Sequence, residues 1–483
     1  MQLGALLQGL ELLECTCDLT MEITGVSYDS RKTAAGDLFV AVTGFAADGH
    51  QFIPMAAQKG AAAVLCERAP ENGMPYVRVA STRAALAVVG ANWFGHPADR
   101  MTMIGVTGTN GKTSITYLLK HVLEKTRKAR VGLIGTIQNM IGDEILETER
   151  TTPESFELQK LFRQMLDAGC THVIMEVSSH ALVLHRADEI FFKVGIFTNL
   201  TEDHLDFHKT MEEYCRCKAL LFRKCGIGVV NLDDSYEPML MKDATCRVLT
   251  YARDCEEAQL RACDVQLHSD SVELTACRGA ERVPVKLGIP GGFTVYNALA
   301  VMGAALALEI PLPDIAQALS TAQGVKGRVE VVPTPGRPYT VLIDYSHTPD
   351  SLENVLKTVR GFCRGRTVAV FGCGGDRDPF KRPIMGAIAG RLADFSVVTS
   401  DNPRTEEPGA IIQQIVAGMQ DAPNPYTVIE NRVQAIEWAL EHAEPQDIIV
   451  LCGKGHETYQ EIGHQKFHLD EREVVQAYLE RGK

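Results

Sequence analysis

The stretch MTMIGVTGTNGKTS, residues 101–114, decides the fold class of this chain. Its first half is an apolar run that predicts a buried strand, and residues 115–124 behind it read as a helix. A strand, a glycine-rich loop and a helix in that order form the setting in which a loop binds phosphate. The alternative, a glycine-rich turn with an incidental lysine, is disfavoured by that setting.

The spacing inside the loop narrows the class of protein. Val106 stands where the common G-x-x-x-x-G-K-T pattern has glycine, which points away from small GTPases. Glycines let backbone N–H groups turn towards phosphate oxygens, and the helix N-terminus adds positive potential. Lys112 is expected to reach the β- and γ-phosphates, and the Thr113 hydroxyl to ligate Mg²⁺. The predicted ATP contacts in this loop are Gly108, Thr109, Asn110, Gly111, Lys112, Thr113 and Ser114.

The composition is that of a globular protein with several cores. The chain has 483 residues, of which 45% are hydrophobic and 23% charged. A net charge of −13 argues against a general nucleic-acid or anionic-membrane binder. No apolar run is long enough to predict a membrane span, and the N-terminus does not read as a secretory signal. The 14 cysteines are scattered, which favours reduced thiols in a cytoplasmic protein.

Strand-like and helical patterns alternate along the whole chain, which predicts an α/β fold with largely parallel sheets. The alternation of strands and helices is interrupted near residues 96–99 and again at a glycine-rich, basic segment at residues 323–328. We therefore predict three domains, at residues 1–98, 99–325 and 326–483.

Polar residues follow two further predicted strands. Glu176 ends the apolar run at residues 172–177, and residues 194–198 lead into the polar segment 199–208. Ligands of α/β sheets bind at the carboxyl ends of strands, so Glu176 is placed like a metal-binding acid. Asp203 and Asp206 are equally well explained as helix caps, and His208 as a solvated surface residue. Lys218 lies on a predicted helix, and its sequence context alone predicts a solvated or snorkelling lysine.

Taken together, these motifs resemble the Mur ligase family of peptidoglycan synthesis. The resemblance covers essentially the whole chain. It implies an N-terminal UDP-binding α/β domain, a central P-loop ATPase-like parallel-sheet domain and a C-terminal Rossmann-like α/β domain. The matching motifs are Asp29-Ser30-Arg31, Asp48-Gly49-His50, residues 107–113, 151–153, 176–180 and 198–204, Lys218, Asn297, Gly327-Arg328, and residues 344–350, 372–378, 401–404 and 453–457.

The resemblance implies an ATP-dependent ligase that phosphorylates a carboxylate and then forms an amide. It implies Mg²⁺ ligation by Thr113, Glu176, His204 and a carbamylated Lys218 (N6-carboxylysine). The implied catalytic residues are Lys112, Glu176, His204 and Lys218. The implied ATP contacts outside the loop are Asn297, Arg328, Asp344 and His347.

The same resemblance implies a UDP-sugar-peptide site. Its implied contacts are Ser30, Thr151, Thr152, Ser178 and Arg186. The hydroxyl residues among them are, one by one, explained as well by helix or loop capping. Leu184 departs from the family pattern, in which a Gln contact is expected, and a leucine cannot donate that hydrogen bond.

Residues 401–404, Asp-Asn-Pro-Arg, resemble the family's diaminopimelate-selecting signature. The implied contacts are Arg377, Asp401, Asn402, Pro403, Arg404, Gly453 and Glu457. A guanidinium suits the extra carboxylate of this amino acid because its planar fork pairs with carboxylate bidentately. The alternative for Arg404 is a surface ion pair with Glu406 or Glu407.

The implied reaction adds meso-diaminopimelate to UDP-N-acetylmuramoyl-L-alanyl-D-glutamate, with ATP as co-substrate and Mg²⁺ as cofactor. We expect a cytoplasmic monomer without nucleic-acid or membrane partners. A lysine-adding ligase, a dipeptide-adding ligase and folylpolyglutamate synthetase share the loop spacing and are the nearest alternatives. A P-loop switch that only binds nucleotide is a more distant alternative, and a structural protein is the least favoured.

Overall fold

The computed structural model describes residues 1–44, 47–148, 150–203 and 205–481, and for Leu205 and Asp206 it describes only the backbone. The chain forms two compact units. The first contains residues 1–251 and 303–310, and the second contains residues 252–302 and 311–483. The predicted boundaries after residues 98 and 325 remain a prediction.

The first unit begins with an α/β layer. Its elements are α1 (Leu3–Leu6), β1 (Glu14–Cys15), β2 (Gly25–Ser27), β3 (Asp37–Val40), α2 (Ile53–Gln58), β4 (Ala63–Cys66), β5 (Tyr76–Arg78) and α3 (Thr82–Phe94). The strand order is β1-β5-β4-β3-β2, parallel except for β1. Successive side chains of β3 point to opposite faces, so Leu38 and Phe39 enter two separate cores, with α3 and α2 respectively.

The P-loop belongs to a second sheet of the same unit. Its elements are β6 (Thr102–Thr107), α4 (Lys112–Arg127), β7 (Val131–Ile134), β8 (Asn139–Ile141), β9 (Glu144–Leu146), α5 (Ser155–Asp167), β10 (His172–Glu176), α6 (Ser179–Val183), β11 (Phe192–Phe197), α7 (Leu205–His208), α8 (Met211–Ala219), β12 (Cys225–Asn231), α9 (Glu237–Met241) and β13 (Arg247–Ala252).

Strand β6 lies between β11 and β10, within the order β13-β12-β11-β6-β10-β7-β8-β9. Pairing is parallel from β13 to β7 and antiparallel for β8 and β9. The buried runs of β6, β10 and β11 are almost continuously apolar, as expected for parallel strands covered on both faces. The loops that follow these three strands therefore meet at one edge of the sheet.

The second unit opens with an antiparallel meander and continues as a mostly parallel sheet. Its elements are β14 (Leu260–Leu267), β15 (Val272–Arg278), β16 (Glu281–Leu287), α10 (Gly292–Ala307, of which residues 303–307 are counted in the first unit), α11 (Leu312–Leu319), β17 (Glu330–Val332), β18 (Thr340–Asp344), α12 (Pro349–Arg360), β19 (Thr367–Phe371), α13 (Lys381–Leu392), β20 (Phe395–Val398), α14 (Pro408–Ala417), β21 (Tyr426–Val428), α15 (Arg432–Glu441), β22 (Ile448–Cys452), β23 (Tyr459–Ile462), β24 (Gln465–His468) and α16 (Glu471–Arg481).

This sheet has the order β17-β18-β22-β19-β20-β21, with only β17 antiparallel to its neighbour. Buried apolar side chains cover both faces, with α12, α13 and α14 on one side and α15 and α16 on the other. The predicted α/β class with largely parallel sheets is confirmed.

The predicted elements around the P-loop are confirmed, with shifted ends. The strand predicted at residues 101–106 is β6, and the helix predicted at residues 115–124 is the longer α4. The apolar pattern marks only the buried face from Ile115 to Leu123, whereas the helix begins directly after Gly111, whose φ is +87°. The sequence therefore misses the polar first turn, which carries Lys112 and Thr113.

None of the helices in the described ranges combines the length and apolar character that a membrane crossing requires. The cysteines are free thiols, as expected.

Candidate active site

The P-loop between β6 and α4 turns at a glycine that no other residue can replace. Gly108 has φ +144°, and a Cβ there would lie 1.8 Å from Thr198 Oγ1. The close approach brings the segment after β11 against the loop. Asn199 O accepts from Thr109 N at 2.8 Å, and Thr198 Oγ1 donates to Asn110 O at 2.7 Å. The segment 198–201 thus braces the loop, a function that the sequence pattern alone did not reveal.

Two lysines converge on one carbonyl of this loop. Lys112 Nζ donates to Gly108 O at 3.0 Å and to Thr109 O at 2.8 Å. Lys218 Nζ donates to the same Gly108 O at 2.8 Å and lies 4.4 Å from the centre of the Tyr214 ring. Two lysine side chains therefore lie at the phosphate loop, and the Lys112 ammonium group supplies positive charge of the kind that a polyphosphate requires.

Lys218 is buried, so the prediction of a solvated or snorkelling lysine is wrong. Helix α8 points it inwards, and only 1% of the residue is exposed. Burial, followed by the positive charge of Lys112, holds the pKa of Lys218 well below its ordinary value. A larger fraction of neutral amine is therefore present near neutral pH than for an exposed lysine.

Glu176 and Thr113 meet at the end of β10, as the sequence predicted. Thr113 Oγ1 donates to Glu176 Oε1 at 2.9 Å. Thr136 also donates to Glu176, from its backbone N to Oε1 and from its hydroxyl to Oε2, both at 3.0 Å. Thr136 was missed, although its place just after β7 at the same sheet edge is a usable signal.

The hydroxyl and the carboxylate fit a small hard cation. Mg²⁺ takes few protein carboxylates and fills its shell with phosphate oxygens and water, so Thr113 and Glu176 are sufficient protein donors. Among the described residues there is no cluster of three or more His, Cys, Asp and Glu that would hold a metal alone. His204 and the Asp206 side chain lie outside the described residues. His208 is buried and hydrogen-bonds Ser179 Oγ at 2.8 Å, so its interpretation as a surface residue is wrong.

Four of the five predicted UDP-sugar-peptide residues, all except Ser30, are connected by hydrogen bonds that lead to Glu176. Thr152 Oγ1 donates to Glu176 O at 2.8 Å, and Arg186 donates to Thr152 O at 3.0 Å. Thr151 and Thr136 share a hydroxyl contact of 3.0 Å. Ser178 accepts from Ala181 N as the N-cap of α6, so the capping alternative is confirmed for it.

A cavity of about 530 Å³ in the first unit lies beside this chain of contacts. None of the five predicted residues lines it, but several of their sequence neighbours do: Tyr28, Lys32, Arg150, Pro153 and Glu154. Ser30 is buried between Tyr28 and Lys32 in sequence. The cavity lining thus includes charged residues that the sequence prediction did not name, among them Lys32, Arg150 and Glu154.

The four predicted ATP contacts outside the loop all belong to the second unit. Asn297 is buried within α10, and Arg328 lies 5.8 Å from the centre of the Tyr345 ring. Both carboxylate oxygens of Asp344 accept backbone hydrogen bonds, Oδ2 from Val329 N at 2.8 Å and Oδ1 from Ser346 N at 2.9 Å. Burial raises the pKa of Asp344, and the hydrogen bond from Ser346 counteracts that rise. His347 is exposed and hydrogen-bonds Tyr345 O at 2.7 Å.

A cavity of about 540 Å³ in the second unit collects nearly all of the residues predicted to bind the amino acid. Of the seven, Pro403 is not part of its lining. Those that line the cavity are Arg377, Asp401, Asn402, Arg404, Gly453 and Glu457. They follow strands β19, β20 and β22, whose carboxyl ends share one sheet edge.

Arg404 is held in place by two partners. Its Nε donates to Glu461 Oε2 at 3.0 Å and its NH1 donates to Gly375 O at 2.8 Å. The alternative pairing with Glu406 or Glu407 is wrong, since Glu406 forms a two-pronged ion pair with Arg382. Glu461 was missed because only the fold brings strand β23 beside the 401–404 segment.

Across the cavity wall, Asn402 Nδ2 donates to Glu457 Oε2 at 2.9 Å. The pocket therefore presents a guanidinium and a carboxylate within one enclosure. Such a pair suits a ligand that carries both a carboxylate and an ammonium group.

Three family models match consecutive parts of the chain. They are the Mur ligase family catalytic domain at residues 22–105, the Mur ligase middle domain at residues 106–305 and the Mur ligase glutamate ligase domain at residues 327–455.

Curated relatives match the chain from end to end. The UDP-N-acetylmuramoyl-L-alanyl-D-glutamate--2,6-diaminopimelate ligase of Caldanaerobacter subterraneus subsp. tengcongensis is 46% identical over 482 residues, which is 99% of each chain. The enzyme of the same name from Clostridioides difficile is 45% identical over 488 residues, which is 100% of each chain.

Solved structures match the fold along its length. A structure of UDP-N-acetylmuramoyl-L-alanyl-D-glutamate--2,6-diaminopimelate ligase has a TM-score of 0.76 and 29% identity, covering 100% of this chain and 99% of its own. MurF ligase from Thermotoga maritima, in complex with ADP, has a TM-score of 0.59 and 19% identity, covering 97% and 100%. The second likeness shows a shared fold alone.

Proposed function

The chain belongs to the Mur ligase family, and on that premise we propose that it adds meso-diaminopimelate to UDP-N-acetylmuramoyl-L-alanyl-D-glutamate at the expense of ATP. The observation that carries this proposal is the cavity in which Arg404 and Glu457 line one enclosure. The end of diaminopimelate that distinguishes it from lysine is a carboxylate beside an ammonium group, and this cavity offers one partner for each.

The reaction has two steps. A carboxylate oxygen of the UDP-linked peptide attacks the γ-phosphorus of ATP, and ADP leaves. The neutral amine of the amino acid then attacks the acyl carbon, inorganic phosphate leaves, and an amide remains. Amide formation from carboxylate and ammonium in water is unfavourable, so the acyl phosphate supplies the activated leaving group.

The phosphate end of the site belongs to the P-loop. The proposal assigns the binding of the β- and γ-phosphates, and the stabilisation of the charge that develops during transfer, to the ammonium group of Lys112 and to the backbone N–H groups at the start of α4. Thr113 Oγ1 and Glu176 Oε1, 2.9 Å apart, would hold Mg²⁺, which when bound neutralises phosphate charge. Thr136 keeps the Glu176 carboxylate turned towards Thr113.

We further propose that Lys218 becomes a carbamate by reaction of its neutral amine with CO₂. Its burial beside Gly108 O and its depressed pKa favour the neutral amine that this reaction needs. A carbamate is an acidic oxygen ligand, whereas an ammonium group has no lone pair to offer a metal. His204 completes the proposed catalytic and metal-binding set.

The remaining binding assignments are extensions of the same proposal. Asn297, Arg328, Asp344 and His347 are proposed for the base and ribose of ATP, and Ser30, Thr151, Thr152, Ser178 and Arg186 for the UDP-sugar peptide. The proposed domain boundaries follow residues 98 and 325. A cytoplasmic monomer is proposed as well, supported for its location by the free thiols, and sedimentation velocity would test the oligomeric state.

The test is an amino-acid competition. Purified protein receives ATP, Mg²⁺, the UDP-linked dipeptide and an equimolar mixture of meso-diaminopimelate and L-lysine. We expect the diaminopimelate product by mass spectrometry, with phosphate release that depends on all substrates. Preference for lysine would overturn the choice of amino acid, and phosphate release without any amide product would overturn the ligase activity.

A further inference from the structure

Lys454, directly after Gly453, is buried against the amino-acid cavity. It is 0% exposed, and its Nζ donates to Asn402 Oδ1 at 3.0 Å and to Glu457 Oε2 at 3.1 Å. Asp401 Oδ1 lies 3.9 Å away. Burying an ammonium group carries a desolvation cost, and a methionine of similar volume would avoid that cost. A charge retained at such a position is a reason to search for its function.

The contacts of Lys454 join two loops of the cavity. Residues 401–404 follow β20, residues 453–457 follow β22, and Lys454 donates into both. Asn402 Nδ2 also donates to Glu457 Oε2 at 2.9 Å, which closes a three-residue ring. Within the described residues, both side-chain hydrogen bonds to Glu457 reach Oε2. Oε1 of Glu457 is therefore the oxygen left to face a cation in the cavity.

Further hydrogen bonds connect this ring to the positively charged side chain of Arg404. Asn402 Oδ1 also accepts from Glu461 N at 2.9 Å, and Glu461 Oε2 accepts from Arg404 Nε at 3.0 Å. One hydrogen-bond network thus runs from Lys454 through Asn402 and Glu461 to the guanidinium. The network links Glu457, which is proposed to bind the distal ammonium group of the substrate, with Arg404, which is proposed to bind the distal carboxylate.

We propose that Lys454 is a positioning residue that makes this cavity specific for an amino acid with a zwitterionic far end. By fixing Glu457 and Asn402, it holds one carboxylate oxygen and the Arg404 guanidinium at a set separation. Without it, Glu457 Oε2 keeps only the hydrogen bond from Asn402 Nδ2, so the carboxylate is less firmly oriented. This inference rests on the proposed function and assigns to Lys454 a role that does not require contact with the substrate.

The test compares Lys454→Met, Glu457→Gln and the double variant with the wild type. We expect Lys454→Met to raise the KM for diaminopimelate roughly tenfold or more, since it removes charge-assisted hydrogen bonds at a binding group. The KM for ATP and for the UDP-linked dipeptide should stay within about twofold, because the substitution changes no residue that is proposed to bind either substrate. The double variant should be no weaker for diaminopimelate than the weaker single variant, because both remove the same oriented carboxylate.

A matched control is Lys120→Met on α4, which removes another buried lysine, one ion-paired to Glu124. It should lower Tm without changing the KM for diaminopimelate. If Lys454→Met fails to fold, Lys454→Gln replaces the ammonium group by a shorter, neutral amide donor and should show a smaller rise in the KM for diaminopimelate, again without a change in the KM for ATP.

Each outcome decides the question. A Lys454 variant with lowered Tm and kcat but an unchanged KM for diaminopimelate would show a merely structural role and overturn the inference. Effects of Lys454→Met and Glu457→Gln that multiply in the double variant would also overturn it. Failure of the wild type to form the diaminopimelate product defeats the proposed function instead, so the two failures are distinguishable.

Discussion

Thr113 donates its hydroxyl hydrogen to Glu176 Oε1 across 2.9 Å, although 63 positions separate the two residues in the sequence. The first turn of α4 carries one and the end of β10 carries the other. Strands β6 and β10 are parallel neighbours in register, with Glu176 opposite Val106, so the loop after β6 passes directly over the Glu176 carboxylate. The phosphate loop and the acid are therefore one functional unit.

Glu176→Gln should impair catalysis more than nucleotide binding. The amide keeps the size of the side chain and an acceptor for Thr113, but it loses the negative charge that a divalent cation needs. We expect kcat to fall by about 10²–10³-fold and the half-saturating Mg²⁺ concentration to rise. Initial rates across a Mg²⁺ titration measure both.

The control is Glu144→Gln, an exposed acid on β9, which should leave both values unchanged. A Glu176→Gln variant with an unaltered Mg²⁺ requirement would contradict the assignment of this carboxylate to the metal.

Lys218 should carry a carbamate in the active protein. Protein equilibrated with ¹³C-bicarbonate should show a carbamate carbon signal by NMR, and Lys218→Arg should lack it, because a guanidinium does not form this adduct. Activity of the wild type should fall when CO₂ is removed and recover on adding bicarbonate. A signal of equal strength in the variant would place the carbamate elsewhere.

Arg404→Lys should weaken diaminopimelate selectively. A lysine keeps the charge but loses the planar fork that pairs with a carboxylate and with Glu461. We expect the KM for diaminopimelate to rise roughly tenfold or more, with the KM for ATP within about twofold. Steady-state kinetics with each substrate varied in turn measures both, and Arg364→Lys, an exposed arginine of the same unit, is the control. Equal rises in both KM values would refute the selectivity role.

Glu406→Gln should remove a pH-dependent part of the stability. The two-pronged hydrogen bond from Arg382 lowers the pKa of Glu406 from 4.5 to about 2. A lowered folded-state pKa adds stability above pH 4.5, and this contribution is lost as the pH falls towards 2. We expect the variant to lose about 2 kcal/mol of unfolding free energy at pH 7. The loss is limited to this size because the carboxylate is partly exposed and solvent screens the ion pair.

Urea unfolding between pH 7 and pH 3 is the measurement, and the gap between wild type and variant should narrow towards the acid end. Glu407→Gln, an exposed neighbour, should show no such gap. A gap that stays constant with pH would refute the linkage to this carboxyl group.

Arg432→Met should destabilise the second unit strongly. Arg432 and Glu471 form a fully buried ion pair at 2.8 Å, and Arg432 also donates to the carbonyls of Ser400 and Cys452. Removing one partner leaves a buried charge, which costs about 3–5 kcal/mol. Chemical denaturation should show this loss, whereas Arg391→Met, at an exposed pair with Glu353, should cost less than about 1 kcal/mol.

The Ser400 and Cys452 carbonyls immediately precede the two loops of the amino-acid cavity. The KM for diaminopimelate should therefore rise in Arg432→Met even under conditions where the variant is folded. A stable Arg432→Met variant with wild-type affinity would show that the ion pair does not support the cavity.

The amino-acid sequence by itself determined the α/β class, the P-loop and its helix. These follow from local order, because a strand end, a glycine loop and a helix start lie within a few residues of each other. The resemblance to the Mur ligases singled out residues 401–404, and three of them, Asp401, Asn402 and Arg404, line one cavity in the structure.

Only the tertiary structure decided which side chains lie between those motifs. The sequence did not indicate that Lys218 and His208 are buried, because their burial depends on helix packing. The partner of Arg404 is the distant Glu461 and not a neighbour in sequence. Lys454 lies within the matching motif at residues 453–457, but the sequence assigned no role to it, whereas the packing of two strand-end loops makes it a common donor. The physical reason is that burial and hydrogen-bond partners depend on which strands become neighbours in the sheet, and a linear pattern records only the composition of each strand.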